Sequence, residues 1–378
     1  MAIDLSFTEP QQRLAATAHD WFEQHCPASV VRQVEADGLG YEPGMWQGMA
    51  DLGWLGITFP TEFGGSGGGF LDLYPLYEEM GRFLVPSPHL DTVAVAGETF
   101  VQVGSQAQKE RLLPAIAAGR CIVSLAILEA NGTFGPGGVS LEATHRGGGY
   151  VLRGTKLLVG FAGSADYFLC AARTSGNGSR EGVSLLLVDS GAPGVSHAPL
   201  PNISGGALSA VAFDDVEVPA DSVIGQAGDG WAPLASAMTK AAVLQTATIV
   251  GAARAVLEMT NQYAKDRRQF GNPIGSYQAV QYMVSDVLID MHRVDLLAKQ
   301  AAYRIDAGKA FGREAAIAIA FGKRAAAHLH RQAHEVHAGV GFMLDHDLSL
   351  YSRRSKFWEN NLGDARYHQE QLATEMGI

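Results

Sequence analysis

Residues 121–219 hold five apolar runs in close succession: CIVSLAIL (121–128), YVLRGTKLLVG (150–160), YFLCAAR (167–173), GVSLLLVD (182–189) and ALSAVAFDDVEVP (207–219). Each is short, rich in strand-forming residues, and set off by Gly, Ser, Asn or Pro clusters, as strands and turns are. No helix-length segment lies between them. A parallel doubly wound sheet needs such crossover helices, so the runs predict an antiparallel β-sandwich or barrel over residues 121–230.

Both flanks change to helical periodicity. In 1–120, Ser6 or Thr8 is placed to cap a helix carrying Leu14, Ala15, Ala18, Trp21 and Phe22 at three-to-four spacing. Further helices are expected near 45–52, stopped by Gly53, and over 70–82. In 231–378, Val280, Met283, Val284, Val287, Leu288, Met291, Val294, Leu297, Ala301 and Ile305 recur at helical spacing, and 315–338 is a second long helix candidate. Long helices joined by short loops read as a bundle. The expected fold class is α+β: an N-terminal helical domain (1–120), a middle antiparallel β-sandwich or barrel (121–230) and a C-terminal helical bundle (231–378).

The chain has 378 residues, 47% apolar and 18% charged, with a net charge of -11. That is an ordinary globular composition. The acidic balance, with no basic stripe, argues against nucleic acid and against an anionic membrane surface as partners. Cys26, Cys121 and Cys170 have neither zinc-site nor disulfide-framework spacing, so a reducing, cytoplasmic setting is expected. MAIDLSFTEPQQRL lacks the basic start and apolar core of a signal peptide. The apolar region 233–257 is interrupted by Lys240 and Arg254, which argues against a membrane span.

Several motifs have bland readings. The run GGSGGG (64–69) follows no clear strand and precedes no Lys-Ser/Thr pair, so it reads as a flexible turn and not a phosphate loop. Gly225, Gly228 and Gly230 read as a linker. His328, His330, His334 and His337 lack an HExxH pattern and a completing carboxylate, so a partly polar helix face is expected and no metal. Glu78 and Glu79 read as a solvated, salt-bridged edge. No Gly-x-Ser-x-Gly elbow is present. In YAKDRRQFGNPIGSYQAVQ (263–281), Arg267 is suited to a bidentate phosphate contact, and a charged surface loop fits equally well.

Beyond those residues, the chain resembles the acyl-CoA dehydrogenase family over nearly its whole length. RRQFGNPIGSYQAVQ (267–281) is similar to the family hallmark, and FDDVEVPADSVIG (213–225) with Gly230-Trp231 to its sheet-to-helix passage. LGWLGITFPTEFGGSG (52–67) is similar to a first-domain loop and HAGVGF (337–342) to a His-Gly-Gly-x-Gly-Phe motif. The resemblance implies helical, β-sandwich and helical-bundle domains in that order. It also implies FAD held between subunits of a dimer, usually within a tetramer. The implied reaction oxidises an acyl-CoA thioester to its trans-2-enoyl form, a carboxylate taking the α-proton while hydride leaves the β-carbon for flavin N5.

Carried over residue by residue, the likeness divides. Arg267 matches the arginine that faces the pyrophosphate of the neighbouring subunit's FAD. Gln269 and Phe270 match the residues after it, and Tyr277 and Gln278 fall on the next contact pair. Glu335 and Gly339 lie in the later FAD-facing motif, where Glu335 replaces a common glutamine and Ala338 a glycine. Positions serving the subunit's own flavin depart. Leu128-Glu129-Ala130 stands for Thr-Glu-Pro, and Leu158-Val159-Gly160-Phe161 for Trp-Ile-Thr-Asn, so the stacking indole and the N5-facing hydroxyl are missing. The usual base falls on Leu362, and its alternative location near Ala241 and Ala242. Glu359 and Asp364 are the remaining carboxylates nearby. The resemblance thus implies a flavin-site-degenerate subunit of an α2β2 complex with a paralogous dehydrogenase, acting on acyl-CoA with an electron-transfer flavoprotein as acceptor. Two other organisations stay open: a self-sufficient homo-oligomer with a displaced base, and a flavin-free acyl-CoA-binding or scaffold protein.

Overall fold

The computed structural model describes residues 5–176 and 181–378. The N-terminal part is helical: α1 (Glu9–His25), α2 (Ala28–Asp37), α3 (Pro43–Asp51), α4 (Phe70–Arg82), a π-helix over Leu90–Gly97 that runs into α5 (Glu98–Val103), and α6 (Gln106–Ala117). Thr8 precedes α1, and its backbone N–H donates to Gln11 Oε1 at 2.9 Å. The glycine run is not the flexible turn expected. The amides of residues 65–68 donate to the carbonyls of Pro60, Gly56, Phe59 and Ile57. A Cβ on Gly65 would fall 2.1 Å from Phe59 O, so glycine is needed there for close backbone approach.

The strands are β1 (Val123–Ala126), β2 (Glu142–Arg146), β3 (Gly149–Gly160), β4 (Tyr167–Arg173), β5 (Val183–Asp189), β6 (Val195–Pro199), β7 (Leu208–Pro219) and β8 (Val223–Ile224). They form one sheet in the order β6-β7-β3-β2-β4-β5-β8, with β1 alongside β4. The ladders are antiparallel, with two exceptions: β1 pairs parallel to β4, and β2 meets β4 in parallel at Glu142–Arg173. The long connection from β1 to β4, which contains the β2–β3 hairpin, makes that parallel pairing possible. Strand β4 shows why the sheet forms. Phe168, Cys170 and Ala172 enter a core inside the sheet with Leu152, Val188 and Phe213, while Leu169 and Ala171 face the helical core. The glycines read as a linker are tied to this sheet: Gly228 N donates to Ser184 Oγ (2.8 Å) and Gly230 N to Val183 O (2.8 Å).

The C-terminal part comprises α7 (Trp231–Asp266), a short hairpin of β9 (Arg268–Gln269) and β10 (Asn272–Pro273), α8 (Gln278–Asp306), α9 (Gly312–His337), α10 (Leu348–Trp358) and α11 (Ala365–Met376). Among the described residues α7 alone is long and apolar enough to cross a bilayer, and 67% of its most apolar window is buried within the protein. Its small residues let α4 approach. A Cβ on Gly251 would lie 1.7 Å from Glu78 O, and one on Gly81 1.9 Å from Thr248 O. Gly251→Ala is therefore expected to destabilise by about 2 kcal/mol or more, although alanine is the better helix former. A melting temperature equal to or above that of the parent would contradict this contact.

Two expectations about polar residues change. Glu78 is buried, not solvated; burial raises its carboxyl to about 7, and Arg254 pairs with it at 2.9 Å. The histidine face of α9 is largely interior. His330 and His337 are buried without hydrogen-bond partners, and burial pushes them down to about 3 and about 4. His328 pairs with Asp290 at 2.9 Å.

Candidate functional site

A cavity of ≈ 140 Å³ opens where α4, the π-helix, β1, β3, α7 and α10 converge. Its wall brings together Leu128, Leu158, Gly160, Phe161 and Leu362, which are far apart in sequence. Ala241 and Ala242 instead lie in the core and do not line it.

The β1 side of the wall is fixed by a buried ion pair. Lys156, wholly buried, donates to Glu129 Oε1 (2.7 Å) and Ile127 O (3.0 Å). Glu129 also accepts from the amides of Ser140 and Leu141 at 3.0 Å. Burial raises the Glu129 carboxyl, but the Lys156 charge and these hydrogen bonds outweigh it, and the net shift is downward. Leu157 N donates to Leu128 O at 2.8 Å, so β3 is held against residue 128. The β3–β7 register then shifts between Lys156 and Val159. This irregularity leaves Leu158 at φ 55° and 52% exposed.

The opposite wall is the loop after α10. Buried Lys323 donates to Trp358 O and Asn361 O, both at 2.7 Å, and burial lowers its ammonium to about 7. His368 Nε2 meets Leu362 O at 3.0 Å. Leu362 is held at φ 56°. The two carboxylates considered in its place are engaged elsewhere. Asp364 caps α11, accepting from Tyr367 N at 2.7 Å, and Glu359 pairs with Lys356 and accepts from Ser355 Oγ, each at 2.9 Å. Neither lines the cavity.

The carboxylate that does line it is Asp91, on the π-helix. Asp91 makes no hydrogen bond or ion pair among the described residues, and burial raises its carboxyl to about 7. Its Oδ2 lies 3.1 Å from where a Cβ on Gly160 would be. The sequence signal was a lone acid in the apolar run LDTVAVAG (90–97). Arg354, Asn361 and Gln245 also line the cavity and also escaped sequence reading.

A second group of residues lies on the surface. Arg267, Gln269, Phe270, Gln278, Glu335 and Gly339 are exposed and Tyr277 half-buried, and none lines the cavity. The hairpin is ordered by Ile274 N donating to Arg267 O (2.8 Å) and Tyr277 Oη to Gln269 O (2.9 Å). Tyr263, just before it, stacks on His337 at 4.4 Å, which links the 267–278 and 335–339 segments. Phe270 is 93% exposed at φ 50°. Arg267 has no ion pair or side-chain hydrogen bond among the described residues. A Cβ on Gly339 would meet nothing within 4 Å of its own chain.

Backbone strain falls on these two places. Among the described residues, seven non-glycine residues have positive φ. Leu84, Leu158, Phe161 and Leu362 line the cavity, Phe270 and Ala338 lie on the exposed segments, and only Asp215 is elsewhere. Each such residue costs of order 1 kcal/mol, and such strain clusters at functional sites.

Residues 8–120, 124–216 and 228–377 match the family models for the acyl-CoA dehydrogenase N-terminal, middle and C-terminal domains. The chain is 30% identical over 383 residues to acyl-CoA dehydrogenase FadE27 of Mycobacterium tuberculosis, covering 99% of both. It is similar to a chain of the ChsE4-ChsE5 complex from Mycobacterium tuberculosis (TM-score 0.89, 28% identity, 99% of both chains). Its fold is also that of butyryl-CoA dehydrogenase from Megasphaera elsdenii (TM-score 0.93, 24% identity, 100% of both chains).

Proposed function

This chain belongs to the acyl-CoA dehydrogenase family of FAD-dependent oxidoreductases, and on that premise we propose that it is the flavin-site-degenerate subunit of an α2β2 complex that oxidises an acyl-CoA thioester to trans-2-enoyl-CoA. One contrast carries this reading. The exposed segment keeps an unpaired arginine suited to a pyrophosphate, while the cavity has leucine at 128, 158 and 362. The groups do not fit an isoalloxazine as the family holds it. No hydroxyl stands at 160, where the Asp91 carboxyl crowds instead, and no aromatic face stands at 158. FAD, when bound, supplies the hydride acceptor. In this reading Arg267, Gln269, Phe270, Tyr277 and Gln278, with Glu335 and Gly339, meet the FAD that a paralogous partner holds, and that partner carries the base. The similarity to a chain of a two-component complex supports a mixed assembly. An electron-transfer flavoprotein is the proposed acceptor, and the cytoplasm the proposed compartment for its three free cysteines.

The test is released flavin per chain, measured for the protein alone and after co-expression with a neighbouring dehydrogenase-like gene. Flavin retained, with turnover, only in the mixed assembly is expected. A homo-oligomer with full flavin occupancy and turnover would remove the reading. Asp91 favours one rival, a self-sufficient enzyme with a displaced base, since a cavity carboxyl near neutrality has the pKa a general base needs. In that case Asp91→Asn abolishes flavin reduction by substrate.

A further inference from the structure

One carboxylate stands in the cavity wall without a partner. Asp91 lies on the π-helix, a form that is rare and concentrates at functional sites. The next residue holds it in place. Thr92 Oγ1 donates to Val123 O and accepts from Val123 N, both at 3.1 Å, which ties the π-helix to β1. Asp91 is half-buried, its free surface opens on the cavity it lines, and none of the described residues donates to it. Its Oδ2 stands 3.1 Å from where a side chain on Gly160 would begin. The other titratable residues in the wall are Tyr77 of α4, whose hydroxyl is bonded to His89 Nδ1 at 2.8 Å, and Arg354 of α10, which pairs with Glu35 at 3.5 Å. β1, β3 and α7 line the cavity with uncharged residues. Behind the π-helix, Glu98 of α5 pairs with Lys240 of α7, and α6 carries Lys109, Glu110 and Arg111. None of these moves the Asp91 carboxyl, which burial alone raises.

We propose that Asp91 is a cofactor-excluding residue, which keeps an isoalloxazine out of this chain's cavity and so leaves the flavin to the partner chain. The edge of an oxidised isoalloxazine carries carbonyl oxygens and imine nitrogens, all acceptors, and N3–H is its one donor. Seating that ring beside position 160 strips hydration from a carboxylate and sets acceptors or apolar edge against it. A charge desolvated without a donor is costly, and a group of that kind discriminates against the ligand that would cover it. Leucine at 128 and 158 and glycine at 160 only remove favourable contacts, whereas Asp91 opposes occupancy. The inference rests on the mixed-assembly reading and names the group that enforces its one-sided flavin distribution.

The probe is lumiflavin, the ring system without the ribityl pyrophosphate tail, so that binding does not draw on the 267–278 surface. It is titrated by fluorescence into the full chain alone and into the FAD-loaded mixed assembly. Asp91→Asn and Asp91→Ala are each expected to bind it at least about tenfold more tightly than the parent above neutrality, the worth of relieving one unpaired charge. The parent's affinity should rise as pH falls through about 7, where the carboxyl takes up a proton, and that of the variants should not. Thermal melting on the same samples gives a readout independent of flavin. The folded Asp91 carboxyl titrates above its free value, so the parent loses stability as pH rises towards about 7, and Asp91→Asn should gain on it over that range. Equal lumiflavin binding by parent and variants, a parent affinity that ignores pH, or variants that melt below the parent above neutrality would overturn the proposal, the last by making the carboxylate a structural group. FAD is counted per chain as well. One FAD for every parent chain overturns the mixed-assembly reading together with this inference; FAD in the partner alone, with lumiflavin indifferent to Asp91, overturns this inference only.

Discussion

Lys156→Met is expected to destabilise the protein by about 3–5 kcal/mol, the cost of leaving one member of a buried ion pair without its counter-charge. The side chain is wholly buried, and among the described residues its ammonium is the only cation that meets Glu129. Methionine fills a similar volume, so the loss is electrostatic and not a cavity. Glu129 then keeps the Ser140 and Leu141 amides but loses Lys156. The pH dependence identifies the cause. The folded Glu129 carboxyl titrates below its free value, so the pair's contribution is fully present above the free glutamate range and is lost as pH falls through the folded value. The gap in denaturation free energy between variant and parent should therefore narrow in acid, where Glu129 is protonated in both. Adding Glu129→Gln to Lys156→Met should recover part of the loss near neutrality. A gap that does not change with pH, or a loss under 1 kcal/mol, would mean the pair does not hold β3 against residue 128 as described.

Much of the fold was legible because it rests on local periodicity. Helix α4 spans the expected 70–82, and α8 begins at Gln278 where the apolar recurrence begins. The run YFLCAAR was legible as a strand, and its unbroken apolar character fits the burial of both β4 faces that the structure shows. The parallel pairing of β1 was not legible, since register between distant strands is set by packing and not by the strand's own residues. The cavity was half legible. Leu128, Leu158, Gly160 and Leu362 stood out only because other residues are usual there, and the structure draws them to one wall. Asp91 was hidden because an acid in a sequence reads as solvated by default, and only the fold shows it among apolar neighbours. The strain at Leu158, Phe161, Phe270 and Leu362 was hidden too, because positive φ is signalled by glycine and these are bulky residues.

Arg267→Ala is expected to weaken FAD binding by the mixed assembly about ten- to a hundredfold, the range for a charge-assisted, bidentate contact to phosphate. Two features of the free chain support so large an effect. The guanidinium is exposed and has no competing carboxylate partner among the described residues, so no internal contact must break before it binds. The backbone that presents it is ordered by the hairpin and by the Tyr277 hydroxyl, so little conformational freedom is lost on binding. It lies outside the buried core, so fold stability should be unchanged within about 0.5 kcal/mol. Arg267→Lys separates charge from geometry. Lysine keeps the positive charge but not the planar fork, and should restore only part of the affinity. The effect should also weaken as salt rises, because the contact is exposed in the free chain. Flavin affinity unchanged in Arg267→Ala would break the assignment of the 267–278 surface to FAD and, with it, the main argument for a mixed assembly. A loss of flavin accompanied by a fall in melting temperature larger than the lost ligand explains would instead make the hairpin a structural element of the subunit interface.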